Sequence, residues 1–210
     1  MKLLNSTRAL CISPHPDDVE YSFMGTISKY KDTTFDVLCL CQGSDFDPTT
    51  SKARLEEVEA VWNCAALSNS NLAFTPIKHI KQLGQDEWIT YLEKEWLSKF
   101  EYDTIILPNN EDSHWEHRYI SELGLPLARV KKYNLIEYYT PSTQETWNPN
   151  LYVDIAKYYD KKIECLKKFT SQAHRYYFRE EVLNAFHSDF QCAKKGMPIV
   201  EKFKVINKYE

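Results

Sequence analysis

The sequence predicts an α/β fold: a mostly parallel sheet with helices on both faces, in a three-layer sandwich. Short apolar runs alternate with longer runs of helical periodicity, the order that builds parallel strands joined by covering helices. The chain has 210 residues, 43% of them apolar, enough for one full core, and 1–210 reads as a single domain. Its two most chemically loaded stretches both sit where a strand-like run gives way to a helix-like one, the place where such sheets gather ligands.

In chain order, residues 9–13 (ALCIS) are the first apolar run, and the Pro-Asp bend after them is where that strand stops and a helix over 18–30 begins. A strand over 36–41 follows, with Cys39 and Cys41 alternating toward one face, and then a helix over 50–66. A short strand at 72–75 leads to a helix over 86–100. The run at 104–107 passes through a polar loop into a helix over 117–131. Strands over 135–139 and 151–154 precede helices over 156–169 and 176–193. Glu201 and Phe203 alternate on a closing strand, where they are expected as edge-strand residues. No stretch repeats at a fixed period, and no low-complexity linker interrupts the pattern.

Composition narrows the function. A net charge of −4 and a pI near 5.9 lack the basic excess of a nucleic-acid footprint. No window reaches the ~18 apolar residues of a membrane span, and MKLLNSTRAL turns polar too soon for a signal peptide, so a soluble cytoplasmic protein is expected. The six cysteines lack CxxC spacing, and the alternation of Cys39 and Cys41 suits reduced, buried thiols better than zinc ligands. Fourteen Tyr, ten Phe and five Trp supply a core and also walls that could stack on a sugar ring. There is no GxGxxG and no phosphate-cradling glycine loop.

SPHPDD, at 13–18, places a histidine and two carboxylates on a bend stiffened by prolines on both sides of the histidine. Turn chemistry alone could account for it, with Asp17 or Asp18 capping the next helix. A metal site is the sharper reading, with His15 and Asp18 as ligands. The second stretch, YDTIILPNNEDSHWEHRYI, carries His114 and His117, which at i and i+3 can face one pocket. Three of the six histidines therefore lie at two junctions on the same sheet edge. His79, His174 and His187 lack a comparable carboxylate cluster and are assigned to surface or packing roles. His15, Asp18 and His117 would make a His2Asp set for a catalytic Zn2+ with an open position. Asp17 would then be free to accept a proton, leaving His114 to stabilise or protonate what forms.

These motifs resemble the LmbE-like (PIG-L) zinc-dependent deacetylases, a family that includes N-acetylglucosaminylphosphatidylinositol deacetylase and enzymes of mycothiol and bacillithiol synthesis. PHPDD is similar to the family's Ala/Pro-His-Pro-Asp-Asp signature and HWEH to its His-x-Asp-His element. QGSD with ARLEE, the VDIAKYYDKKIECLKKFTSQ stretch and KKGMPIVEKFKV resemble further landmarks, so the likeness spans nearly the whole chain. It implies a Rossmann-like fold, His15, Asp18 and His117 as zinc ligands, Asp17 as general base, and His114 as electrophile or general acid. It also places Arg54 toward substrate, where the residues themselves equally allow an exposed ion pair with Glu56 or Glu57. Trp115 is expected either to wall the sugar site or to pack inward, and Asp45 either to form a turn or to meet sugar hydroxyls.

The sequence departs from the family pattern at three places. Glu116 replaces the usual Asp between the two histidines; Leu67 and Ser68 stand where a glycine usually ends the second helix; and Asp112 lies where some relatives carry a tyrosine. The expected activity is hydrolysis of an N-acyl group, most naturally acetyl, from a small-molecule amino sugar or conjugate. Alternatives are the same machinery acting on a non-sugar amide or an ester, and a metal-binding module without turnover. A homo-oligomer is left open.

Overall fold

Apolar side chains on both faces make β1 (Arg8–Ser13) a central strand: every residue after Arg8 is buried. Leu10 and Ile12 point to one side of the sheet and Ala9 and Cys11 to the other. The structure, a computed structural model, describes residues 1–42 and 48–209, without the side chains of 48–51 and 130.

The other strands are β2 (Thr34–Cys39), β3 (Ser70–Phe74), β4 (Thr104–Pro108), β5 (Asn134–Tyr138), β6 (Leu151–Asp154) and β7 (Val200–Asn207). Among the described residues they form one seven-stranded sheet in the order β3-β2-β1-β4-β5-β7-β6. Pairing is parallel from β3 through β5, and antiparallel where β7 meets β5 and β6.

The helices are α1 (Asp18–Lys29), α2 (Pro48–Ala65), α3 (Gln85–Leu92), α4 (Trp115–Ser121), α5 (Gly124–Val130), α6 (Tyr159–Leu166), α7 (Glu180–His187) and α8 (Phe190–Lys194). Trp88 and Leu92 of α3 join Ile120 of α4 and Leu127 of α5 against Leu10 and Ile12. On the opposite face Val19, Phe23 and Ile27 of α1 and Tyr159 of α6 pack on Ala9 and Cys11. A third cluster binds α1 to α2, α6 and α7 through Met24, Val58, Leu166 and Leu183. The sheet is thus flanked by helices on both faces, as the sequence predicts. No helix of the described residues is long and apolar enough to cross a membrane.

Two expected helices are divided. The run at 117–131 is α4 and α5, because Pro126 has no N–H to continue a helix but is tolerated in a first turn. Gly124 opens α5 against β4, so close that a Cβ would meet Leu107 at 2.8 Å. The run at 176–193 splits where Ser188 forms an antiparallel bridge to Ile199 and the Asp189 side chain caps α8 by accepting from the Cys192 amide. The run at 36–41 ends as a strand at Cys39, so alternation does not extend to Cys41, which packs with Leu38 and Leu40.

The closing strand differs most from expectation. β7 lies between β5 and β6, and Glu201 is buried. Its reason is a break in α1 at Phe23, whose φ of −149° and ψ of 26° interrupt the helix. The amides of Gly25 and Thr26 donate instead to the Glu201 carboxylate, at 2.9 and 2.5 Å. Lys162, equally buried, donates to the same carboxylate at 2.6 Å and lies 2.8 Å from Nε2 of His187. A side chain at Gly25 would meet Ile155 at 2.8 Å and Glu201 at 2.9 Å, so glycine lets α1 approach β7. One buried ion pair thereby ties α1, α6, α7 and β7 together.

Candidate metal and proton-transfer site

β1 and β4 are neighbours, yet the chain leaves β1 for β2 on its other side. That reversal opens a crevice beyond their carboxyl ends. The loop after β1 brings His15, Asp17 and Asp18 to it, and the loop after β4 brings His114, Glu116 and His117.

The prolines remove two backbone donors from the first loop, and its carbonyls are taken up from outside. Cys41 Sγ donates to the Pro14 carbonyl at 3.0 Å, Ser13 Oγ to that of His15 at 2.7 Å, and Arg54 to that of Pro16 at 2.7 Å. Asp17 then takes a φ of 124°, a conformation L residues rarely adopt and one that concentrates at functional sites. Neither carboxylate serves the capping role that turn chemistry suggested: Asp17 precedes α1 without a side-chain cap bond, and Asp18 accepts from the His15 amide at 2.8 Å.

The kinked backbone sends the two aspartates to different partners. Asp18 lies between the imidazoles, one oxygen 3.2 Å from His15 Nδ1 and the other 3.3 Å from His117 Nε2. Donor atoms of His15, Asp18 and His117 all fall within 4.8 Å of one another. Asp17 turns to Arg54, 3.1 Å away. Two imidazole nitrogens and a carboxylate are a donor set suited to a divalent metal ion with a position left open.

The neighbouring carboxylates support that set. His117 Nδ1 is 2.9 Å from the fully buried Asp112, which also accepts from the Thr140 hydroxyl and, at 2.7 Å, from the His114 amide. This carboxylate–imidazole pairing fixes the ring so that Nε2 faces Asp18. Glu116 does not chiefly orient His114, 3.9 Å away; its extra methylene carries it to His15 Nε2 at 2.6 Å. His15, His114 and Glu116 form a second cluster with donor atoms within 4.8 Å. The first is better built, since His114 is 43% exposed and held mainly by stacking on His117, while the His117 side chain is 4% exposed.

Electrostatics follow this geometry. Burial opposes charge on His117, but Asp18 and Asp112 raise its pKa to about 9. Burial likewise opposes charge on His15, and Asp18, Cys41 and Glu116 outweigh it and raise the pKa well above the usual value. Burial disfavours the Asp18 anion, yet the two imidazoles lower its pKa well below the carboxylate range. The cluster thus holds protons where a cation would compete for the same electrons. Asp17 is different: burial raises its pKa to about 6 against the pull of Arg54. His114 is pushed down, by burial first and then by the charges of His15 and His117.

These groups line a cavity of about 400 Å³ whose remaining wall includes Arg54, Tyr21, Arg175 and Tyr177. Arg54 is neither exposed nor paired with Glu56 or Glu57; it is 6% exposed and directed at Asp17. Trp115 is outside the cavity wall: it is 39% exposed, with Lys81 Nζ 4.4 Å over its ring and Tyr119 at its edge. Asp45 and the rest of the QGSD loop from Gly43 lie outside the described residues. Sequence reasoning missed the roles of Asp112 and Thr140; the only signal for Asp112 was an acid shortly before a ligand-type histidine, and Thr140 carried none.

A family model described as PIG-L, GlcNAc-PI de-N-acetylase, matches residues 10–128, more than half of the chain. The chain belongs to the PIG-L family. Among solved structures, the 4-carboxy-2-hydroxymuconate hydratase of Pseudomonas putida aligns with a TM-score of 0.78 at 16% identity, over 100% of this chain and 98% of its own. The N,N'-diacetylchitobiose deacetylase of Pyrococcus horikoshii aligns with a TM-score of 0.69 at 19% identity, over 97% and 85%. The A40926 pseudoaglycone deacetylase aligns at 0.73 with 13% identity, over 97% and 99%. At these identities the PIG-L fold is shared and the reaction is left to the side chains.

Proposed function

We propose that the protein is a zinc-dependent amidohydrolase that removes an N-acyl group, most naturally acetyl, from an amino sugar or amino-sugar conjugate. The division of labour between two adjacent aspartates carries this reading. Asp18 is engaged by both imidazoles, while Asp17 is buried at the cavity wall, paired to Arg54 and near pKa 6. A non-catalytic metal module has no use for a second carboxylate held apart in a strained backbone.

Zinc, when bound by His15, Asp18 and His117, supplies Lewis acidity that acidifies water and polarises an acyl oxygen. Asp17 accepts the proton of the attacking water; a base near pKa 6 is largely ionised at pH 7 yet basic enough to hold that proton. Arg54 keeps the carboxylate aimed and charged until then. As the new C–O bond forms and the C–N bond breaks, the same proton passes to the departing amine. His114, on the cavity wall with its pKa lowered, is a neutral N–H donor for the oxyanion. Asp112 holds His117 through the cycle.

PIG-L membership and the deacetylase relatives support acyl removal, and the six free cysteines support a reducing, cytoplasmic setting. The test is release of free amine from a panel of N-acetylated sugars by zinc-loaded protein. Asp17→Asn should retain zinc and lose activity by about 10²–10⁴-fold. Near-normal turnover by that variant would remove Asp17 from the chemistry, and water addition to a carbon–carbon double bond with no amine release would move the reaction to the hydratase class.

A further inference from the structure

Five of the six cysteines are buried, and Cys64 alone is partly exposed. It stands on the last turn of α2, where that helix packs on α6. Facing it is Cys165, buried on the last turn of α6 in the cluster against which Cys64 packs. The two thiols are hydrogen-bond partners, so their sulfurs meet across the seam between the helices.

Two charged groups of α6 reach the same sulfur. Lys161, one turn before Cys165 on the same face, donates to Cys64 Sγ at 3.7 Å, and Glu164 accepts from it at 3.6 Å. Lys161 and Glu164 pair with each other at 2.9 Å, and their side chains are 50% and 61% exposed, so solvent reaches the cluster. The other cysteines near each other in sequence are placed differently. Cys39 and Cys41 are buried, and their thiols donate to the carbonyls of Cys41 and Pro14 at 3.2 and 3.0 Å.

The two members of the pair have different environments. Burial first, and then the Cys64 thiol, push the Cys165 pKa up to about 12. Cys165 therefore stays protonated and enclosed, suited to resolve an oxidised neighbour rather than to meet an oxidant first. The seam they share is already tied by Glu57 of α2. That carboxylate accepts from the Thr170 hydroxyl at 2.7 Å, and from the Ser171 amide and hydroxyl at 2.7 and 2.6 Å, just beyond α6.

We propose that Cys64 and Cys165 are an oxidisable pair, which a hydroperoxide converts into a reversible disulfide between α2 and α6. In the first step Glu164 receives the Cys64 proton as the sulfur attacks one peroxide oxygen. An S–O bond forms, the O–O bond breaks, and the departing oxygen takes up the proton as water or alcohol, with the Lys161 ammonium placed to hydrogen-bond to it. In the second step the Cys165 sulfur attacks the Cys64 sulfenic sulfur. The S–S bond forms, the S–O bond breaks, and the hydroxyl leaves with the Cys165 proton as water. Two electrons pass from the thiols to the peroxide, and a dithiol reductant returns them. The candidate metal donors His15, Asp18 and His117 offer nitrogen and oxygen, so neither step draws on them.

The experiment treats reduced full-length protein with hydrogen peroxide and maps its peptides by mass spectrometry without reduction. One intramolecular link, 64 to 165, should form and disappear with dithiothreitol. Because it closes roughly a hundred residues of chain, the melting temperature of the oxidised protein should rise by about 5–10 °C. Cys64→Ser should abolish the link, and Cys165→Ala should leave a sulfenic acid at Cys64 that dimedone traps. Lys161→Met should slow oxidation several-fold, with Lys161→Arg restoring it. Wild-type protein that forms no link, or that links Cys64 to another cysteine or to a second molecule, overturns the pair. So does dimedone labelling of a cysteine other than Cys64 in Cys165→Ala. An unchanged rate in Lys161→Met overturns the part given to the lysine. Cys64→Ser changes a partly exposed position, and wild-type mapping needs no variant, so the pair is tested even if Cys165→Ala fails to fold.

Discussion

Replacing Lys162 by Met removes one half of a fully buried ion pair while roughly preserving apolar volume. In the native protein its ammonium lies 2.6 Å from Glu201 and 2.8 Å from His187, and the side chains of Lys162 and Glu201 are 1% and 0% exposed. The variant leaves the Glu201 carboxylate with the Gly25 and Thr26 amides but no cation. Breaking a buried pair in this way costs about 3–5 kcal/mol. With an unfolding entropy of about 2.1 cal/mol/K per residue, the 210 residues give about 0.44 kcal/mol/K, so the melting temperature should fall by roughly 7–11 °C. Thermal melts and urea titrations read the effect. The double variant Lys162→Met with Glu201→Gln should recover at least half of the loss, since no charge is then stranded, and a cycle should show strong coupling. A single-variant shift below about 2 °C, or additive losses, would refute the role given to this pair.

The other expectations concern pH, metal and the 170–172 turn. Burial first, and then the charge of Lys162, hold the His187 pKa well below its usual value, with Nδ1 against the Leu183 carbonyl. The unfolded chain therefore binds a proton below about pH 6.5 that the folded chain refuses. The stability this neutral imidazole contributes is present above that pH and is lost at about 1.4 kcal/mol per unit as pH falls, and His187→Gln should flatten that acid limb in melts from pH 7 to 5. Asp112→Asn should weaken zinc affinity by about 10–100-fold in competition with a chromophoric chelator, and an unchanged affinity would show that His117 needs no such anchor. Glu57→Gln weakens the three hydrogen bonds that hold the 170–172 turn against α2 and should lower the melting temperature by about 2–5 °C without loss of bound metal, read by thermal melts and metal analysis.

The sequence by itself determined the strand–helix alternation and which residue types meet at two junctions. Both are local: β1 is a continuous apolar run, and SPHPDD and SHWEH follow strand ends in the chain. Pattern reasoning could therefore bring His15, Asp18 and His117 to one sheet edge, where the structure places them within 4.8 Å. It could not see that β7 enters between β5 and β6, because antiparallel insertion depends on pairing with strands distant in sequence. For the same reason Glu201 looked like an edge residue, although it caps the broken α1. Pro126 and the Ser188–Asp189 pair were legible as helix stops, and the longer helical periodicity masked them.

Within the site, the tertiary structure decided orientation. Two neighbouring aspartates are chemically identical on paper, and only the positive φ at Asp17 sends one to Arg54 and leaves the other between imidazoles. Asp112, Glu116 and Arg175 acquire their positions from contacts made across the fold, with Thr140, His15 and the braced turn on α2. Trp115, between His114 and His117 in sequence, is carried off the cavity by the helical turn it opens. Residue type sets what chemistry is available, and the backbone path sets which groups are close enough to perform it.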